Sequence, residues 1–409
     1  MMNPYQAIIL LTLLVRYALS IGEWVSARRA DVELPEEVRD VYDAEKYHKS
    51  RDYLNTATGF RVISETFSLV VLLLFWFFGG FNILDQIVRG WGLHPILTGI
   101  LYIGILSGAG FVLNLPSDIF STFVIEELFG FNRTKLRVFI TDRLKGLALV
   151  SLLGIPFLAL VLWFFDRMGS SAWIYCWLIS IVISFLLQFI TPAWILPLFN
   201  KYTPLPDGDL KDAIAAYARE VRFAFKEIFV VDSSKRSSKT NAFFTGFGRN
   251  KRIALFDTLV KDSTIPEIVA ILAHEVGHYK RKHIVAGIFL GFLNSGLIFF
   301  LLSLFIGNRG LFDGFYMQDV SNYAGLLFFA MLYEPISFLL SIPFHALSRH
   351  NERQADRYAV ETIPDREQMV SALKKLYSTN LGNLNPHPLF VILHYSHPPL
   401  LERIRAIRT

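Results

Sequence analysis

About seven stretches of this chain are apolar enough and long enough to cross a lipid bilayer, and they limit its fold more than any other feature. They run approximately over residues 5–25, 62–83, 95–116, 146–166, 172–198, 284–306 and 323–346. Inside hydrocarbon a spanning segment must satisfy its own backbone hydrogen bonds, so runs of ~20 such residues are read as helices. Composition agrees: 53% of the 409 residues are hydrophobic and only 18% charged, which excludes an ordinary soluble chain. The expected fold class is mainly α, a polytopic membrane protein. Pro192 and Pro197 predict a kink near the end of the fifth span. Glu334 in the seventh span needs either a structural partner, such as Arg16, or a wet cavity to face.

The basic residues set the orientation. Loops after the first, third and fifth spans, with the C-terminal tail, hold nearly all the Lys and Arg; the other loops offer only Arg89, Arg167 and Arg309. By the positive-inside rule the first set is cytosolic, which puts the N-terminus outside and the C-terminus in the cytosol. The net charge of +5 thus reflects membrane topology and does not call for nucleic acid. The first five residues carry no charged side chain and no clear small-residue cleavage site precedes Arg28-Arg29, so the first span reads as a retained helix. Cys176 is the single cysteine, which rules out an intrachain disulfide and a cysteine metal cluster.

Four regions follow: spans one to five with their loops (1–198), a cytosolic subdomain (199–283), spans six and seven (284–346) and a C-terminal helical part (347–409). Within 199–283, residues 210–222 have helical periodicity, and 228–232, 241–245 and 252–256 read as strands. Gly246-Phe247-Gly248-Arg249-Asn250 forms a hairpin-type loop between the last two. Thr264 and Glu267 have capping-box spacing at the start of a helix expected to run unbroken through His283 into the sixth span. The mixed charges of residues 28–52 read as a solvated helical loop.

That helix carries His274-Glu275-Val276-Gly277-His278, the H-E-x-x-H pattern. Residues four apart share a helix face, so His274 and His278 can point at one metal ion, with Glu275 beside them to serve a metal-bound water as general base. This predicts one Zn2+ per chain and hydrolysis of peptide bonds. Catalytic zinc needs a third protein ligand. His283 lies on the same expected helix without a glycine turn to fold it back. Glu352 and Asp356, four apart on a second helix, are the stronger candidates: one can ligate, the other can accept the free ring N–H of a ligand histidine. Asn241-Ala242-Phe243-Phe244 is a candidate edge strand for an extended peptide, with Asn241 a donor to its backbone. His397, before Pro398 and Pro399, reads as an oxyanion donor, a substrate contact or a structural group, and Arg403 lies about a turn further on.

Together with Glu127-Leu128-Phe129-Gly130-Phe131-Asn132-Arg133, Pro197-Leu198-Phe199-Asn200, Ala254–Leu259, Asn351-Glu352 with Asp356, and Ser396-His397-Pro398-Pro399, these pieces resemble the type I CAAX prenyl endopeptidases, integral-membrane zinc proteases of the gluzincin kind. The resemblance implies seven helices in a barrel around a water-filled chamber with a small α+β protease domain. It implies Glu352 as third ligand, Asp356 behind it, and His397 and Arg403 near the substrate. It also implies cleavage of prenylated substrates near their C-terminus. The chain is shorter than expected of eukaryotic members and shows no evident retrieval signal at Arg408-Thr409, which leaves the bacterial inner membrane and the endoplasmic reticulum membrane both open. A bacterial quality-control zinc protease with no prenyl requirement is the nearest enzymatic alternative. A seven-helix receptor or transporter with a chance motif is the alternative of another class, and it gives no reason for the spacing of Glu352 and Asp356.

Overall fold

The computed structural model describes residues 2–29, 33–245 and 251–409, so the expected loop at 246–250 lies outside the described residues. Among the described residues six helical stretches are long and apolar enough to cross a membrane: Pro4–Arg28, Ala44–Phe77, Pro95–Leu128, Leu136–Phe199, His283–Phe305 and Asn322–Thr362. The fourth, of 64 residues, makes two passes. It breaks at Gly169–Ser171, where Gly169 takes a φ of 56° that favours glycine. Its halves fold back on each other, so that Lys145 near the start donates to the carbonyl of Leu198 near the end at 2.7 Å. The kink expected at Pro192 is a widened π-type turn over Thr191–Ile195.

The passes form a closed ring. Pro4–Arg29 lies beside Ala44–Phe77, and each pass then touches the next, until Asn322–Thr362 returns to Pro4–Arg29. Only 6–28% of the residues in each apolar window are buried, too few for helices packed on a solid core. Arg16 and Glu334, from the first and last passes, form an ion pair whose side chains are about half exposed (55% and 45%). Charges facing lipid would be costly, so this pair faces the interior of the ring, which is a polar chamber. Arg61 and Glu23 pair in the same way at 2.6 Å. One end of the ring is closed by Trp76, Phe81, Tyr102, Phe312, Phe315 and Phe328, all buried together. Asp85, fully buried there, accepts from Tyr323 Oη at 2.6 Å and Arg89 Nε at 2.7 Å, which satisfies both its oxygens.

A small α+β unit sits at the other end. Its sheet has four strands, β1 (Tyr202–Pro204), β2 (Glu227–Val231), β3 (Ala242–Thr245) and β4 (Arg252–Phe256), in the order β1-β2-β4-β3. β2 and β4 run parallel, and β1 and β3 flank them antiparallel. β1 was not anticipated: three residues ending in proline carry no readable alternation. The shared core reaches into the first loop, where Val38, Tyr42 and Tyr47 are buried and Lys374 donates to Asp40 at 2.8 Å. Residues 33–52 are therefore part of this unit, not a solvated loop as their charge suggested.

The helix Ile265–Lys280 starts at the expected capping box, with Thr264 N donating to Glu267 at 2.7 Å. It does not continue into the next span. Lys282 takes a left-handed φ of 62°, and a new helix, His283–Phe305, begins there. Elsewhere close packing is set by small residues: a Cβ on Gly325 would run into the backbone carbonyl oxygen of Ile306, whereas one on Gly287 meets nothing within 4 Å. Gly325→Ala should therefore destabilise the protein by about 1–3 kcal/mol, and Gly287→Ala should not. Thermal unfolding of the detergent-purified variants checks the contrast; equal midpoints for the two would contradict this packing.

Candidate active site

Two helices build the site by crossing at close range. A Cβ on Gly277 would stand 3.0 Å from both Cα and O of Ala355 and 3.1 Å from Cβ of Tyr358. Glycine at that one position lets the H-E-x-x-H helix lie against Asn322–Thr362, and so brings Glu352 and Asp356 to the histidines. His274 Nε2 and His278 Nε2 are 3.2 Å apart. Glu352 Oε2 is 3.3 Å from the first and Oε1 is 3.2 Å from the second. All three residues thus offer one atom to a common point.

Behind this triangle lies a buried ionic layer. His274 Nδ1 and Asp356 Oδ1 are hydrogen-bonded at 2.8 Å. Asp356 in turn accepts two bonds from Arg403, Nε to Oδ2 at 2.8 Å and Nη2 to Oδ1 at 2.6 Å. Burial works against charge on the His274 ring, yet its hydrogen bond to Asp356 and the Glu352 carboxylate beside its other nitrogen prevail and hold its pKa up at about 9. The pocket therefore favours positive charge. Burial also pushes the Glu275 carboxyl up from its ordinary value.

Comparison with known proteins places this geometry. Residues 25–201 match the family described as CAAX prenyl protease N-terminal, five membrane helices, and residues 204–409 match peptidase family M48. CAAX prenyl protease 1 of Saccharomyces cerevisiae is 34% identical over 92% of this chain and 89% of its own. The chain belongs to peptidase family M48. The CAAX prenyl protease 1 homolog of Homo sapiens is 33% identical, over 92% of this chain and 89% of its own. The crystal structure of S. mikatae Ste24p superposes with a TM-score of 0.93 at 33% identity, covering 99% of both chains. This M48 chain is a multi-pass membrane metalloendopeptidase, and neither the receptor or transporter reading nor that of a quality-control protease is favoured.

The residues present fit the metal such a peptidase needs. Zinc–ligand bonds of ~2.0–2.1 Å in a tetrahedron put neighbouring ligand atoms roughly 3.3 Å apart; here the two ring nitrogens are 3.2 Å apart, and each has a Glu352 oxygen, a different one for each, at 3.2–3.3 Å. Glu352 Oε2 is buried and makes no hydrogen bond, with His274 Nε2 at 3.3 Å and the Arg403 guanidinium at 3.7 Å, an acceptor available to a cation. The remaining expected residues fall in different places. His397 Nε2 is 3.3 Å from Glu352 Oε1 on the open side, with more than half its side chain exposed. Asn241 is exposed just before β3, the edge strand, which packs beside the H-E-x-x-H helix. Arg403, expected against the substrate, lies instead behind His274, 7% exposed and taken up by Asp356. The arginine was visible in the sequence, but its side of the site was not, because one turn of a short helix decides it.

His283, expected to be carried away along a continuous helix, is turned back by the break at Lys282 until its Nδ1 is 3.1 Å from Nδ1 of His278. It touches the far nitrogen of that ring and is not in the ligand triangle. Gly277 is a second residue whose importance the motif alone conceals. Gly277→Val should separate the two helices and weaken metal binding in a folded membrane domain. Metal analysis after dialysis against a chelator reads this directly, and full retention would remove the close crossing from the account.

Proposed function

We propose that His274, His278 and Glu352 hold one Zn2+ and that Glu275 is the general base of peptide hydrolysis. The observation that carries this is the triangle of two imidazole nitrogens and one carboxylate, with edges of 3.2–3.3 Å and a Glu352 oxygen without a hydrogen bond facing it. When bound, the metal supplies a Lewis acid that activates water and polarises the scissile carbonyl. Glu275, adjacent in sequence to His274 but outside the triangle, accepts the proton of the attacking water and passes it to the leaving amine. Asp356 holds His274 with Nδ1 protonated, which leaves Nε2 free to ligate. Arg403 neutralises Asp356 and holds it in place. His397, on the open side of Glu352, is positioned to donate to the developing oxyanion.

The substrate reading rests on the edge strand and the relatives. β3 is the sheet's edge strand among the described residues and lies beside the metal helix, and an extended peptide adds there as a further strand with Asn241 against its backbone. The relatives are named CAAX prenyl proteases, and a chamber inside the membrane suits a substrate that carries a lipid. We take the substrate to be a prenylated peptide or protein cut near its C-terminus. The active site faces the cytosol by the distribution of Lys and Arg, in the endoplasmic reticulum or a bacterial inner membrane.

Two measurements test this reading. Glu275→Gln should retain metal while kcat falls roughly 10²- to 10⁴-fold; unchanged turnover would remove Glu275 as the base. A farnesylated C-terminal peptide should be cut with a kcat/KM at least about tenfold above its unmodified twin, equivalent to ~1.4 kcal/mol of transition-state binding. Equal rates would reject lipid recognition and favour general membrane-protein proteolysis.

A further inference from the structure

His274 and His278 occupy equivalent places in the motif but are supported by different means. The far nitrogen of His274 meets a carboxylate backed by an arginine. The far nitrogen of His278 meets His283, at 3.1 Å between the two Nδ1 atoms, with the rings 5.1 Å apart and 75° inclined. On a straight helix residues five apart point about 140° away from each other. The left-handed turn at Lys282 is what brings these two together.

The contact does not stop at His283. Its Nε2 is 3.2 Å from Gln354 Oε1, and Gln354 Nε2 is 2.8 Å from His350 Nε2. One assignment of protons satisfies every link. With His278 Nε2 turned to the metal position, its proton is on Nδ1 and is donated to His283 Nδ1. His283 then carries its own proton on Nε2 and donates it to the Gln354 carbonyl oxygen. The Gln354 amide N–H donates to His350. Turning the amide round would set N–H against N–H at His283. Gln354 lies on the same helix as Glu352, so the line returns to the element that supplies the third ligand.

We propose that His283 is the positioning residue for His278: it accepts the Nδ1–H, fixes the ring's tautomer and rotation, and is itself fixed by Gln354. A neutral acceptor suits this place. Glu275, Glu352 and Asp356 against Arg403 already leave two net negative charges around the metal position, and a further carboxylate would deepen that in a buried pocket. This inference rests on His278 being a ligand, as proposed above.

The test uses the full-length protein in detergent and reads metal affinity by chelator competition, together with the visible spectrum of the Co2+-substituted form. His283→Phe keeps the bulk and removes the acceptor; His283→Asn restores an acceptor oxygen close to the ring nitrogen's place. We expect His283→Phe to weaken metal affinity roughly 10- to 100-fold and to alter the Co2+ spectrum, and His283→Asn to recover most of both. His283→Leu repeats the loss should the Phe variant not fold. Wild-type affinity and spectrum in the Phe or Leu variant would overturn the inference. Equal losses in the Asn and apolar variants would do the same, since they mark bulk rather than hydrogen bonding. His278→Ala is the separating control: if it keeps wild-type metal affinity, the ligand assignment is what fails.

Discussion

The crossing of two helices at Gly277 and Ala355 is the contact on which the site depends. One helix brings two histidines and Glu275, the other brings Glu352, Asp356 and Gln354. With a Cβ already at 3.0 Å from backbone, no larger residue fits at Gly277 without moving one helix off the other. Burying Glu352 and Asp356 in that crossing is unfavourable unless their charge is met. Arg403 meets part of it with two bonds to Asp356. The Glu352 oxygen left without a hydrogen bond marks the remainder, and it suits a cation at the centre. The protein is thus arranged around a charge it does not itself contain.

The membrane ring gives this site its setting. Among the described residues, seven passes in a closed ring, sealed by aromatic residues at one end, leave the metal unit covering the other end. On the substrate reading proposed above, a lipid-bearing peptide would keep its apolar part within the membrane-embedded chamber while its backbone reaches the edge strand. The ion pairs Arg16–Glu334 and Arg61–Glu23 serve two purposes here. They tie the first pass to the last and to the second, and their polarity keeps the hollow wet, so water is available for hydrolysis inside the bilayer.

Much of this was legible in the chain because it rests on local spacing. Apolar runs of bilayer length announce helices, and Glu352 with Asp356 share a helix face by the same four-residue spacing as His274 with His278. What stayed hidden depends on single backbone angles or on distant partners. A φ of 62° at Lys282, a residue with no special preference for it, ends the motif helix and redirects His283. β1 is three residues long and exists because β2 offers it an edge. Val38 and Tyr42 look like members of a charged loop until the helix Glu367–Thr379 covers them.

The two histidines of the motif show why sequence symmetry does not carry over to support. The Nδ1 side of His274 is buried, and the carboxylate it meets there is neutralised by Arg403 from the C-terminal helix. His278 sits one turn further along, at the membrane end of the motif helix, beside a span that begins at His283. A carboxylate there would add a further negative charge to a site that already holds Glu275, Glu352 and Asp356. A neutral histidine supplies the same acceptor without that cost, and the break at Lys282 is the backbone change that delivers it. If His278 is a ligand, as proposed, the departure from a continuous helix is tied to the chemistry: the chain gives up helical continuity between motif and membrane span at the point where that ring meets a neutral acceptor.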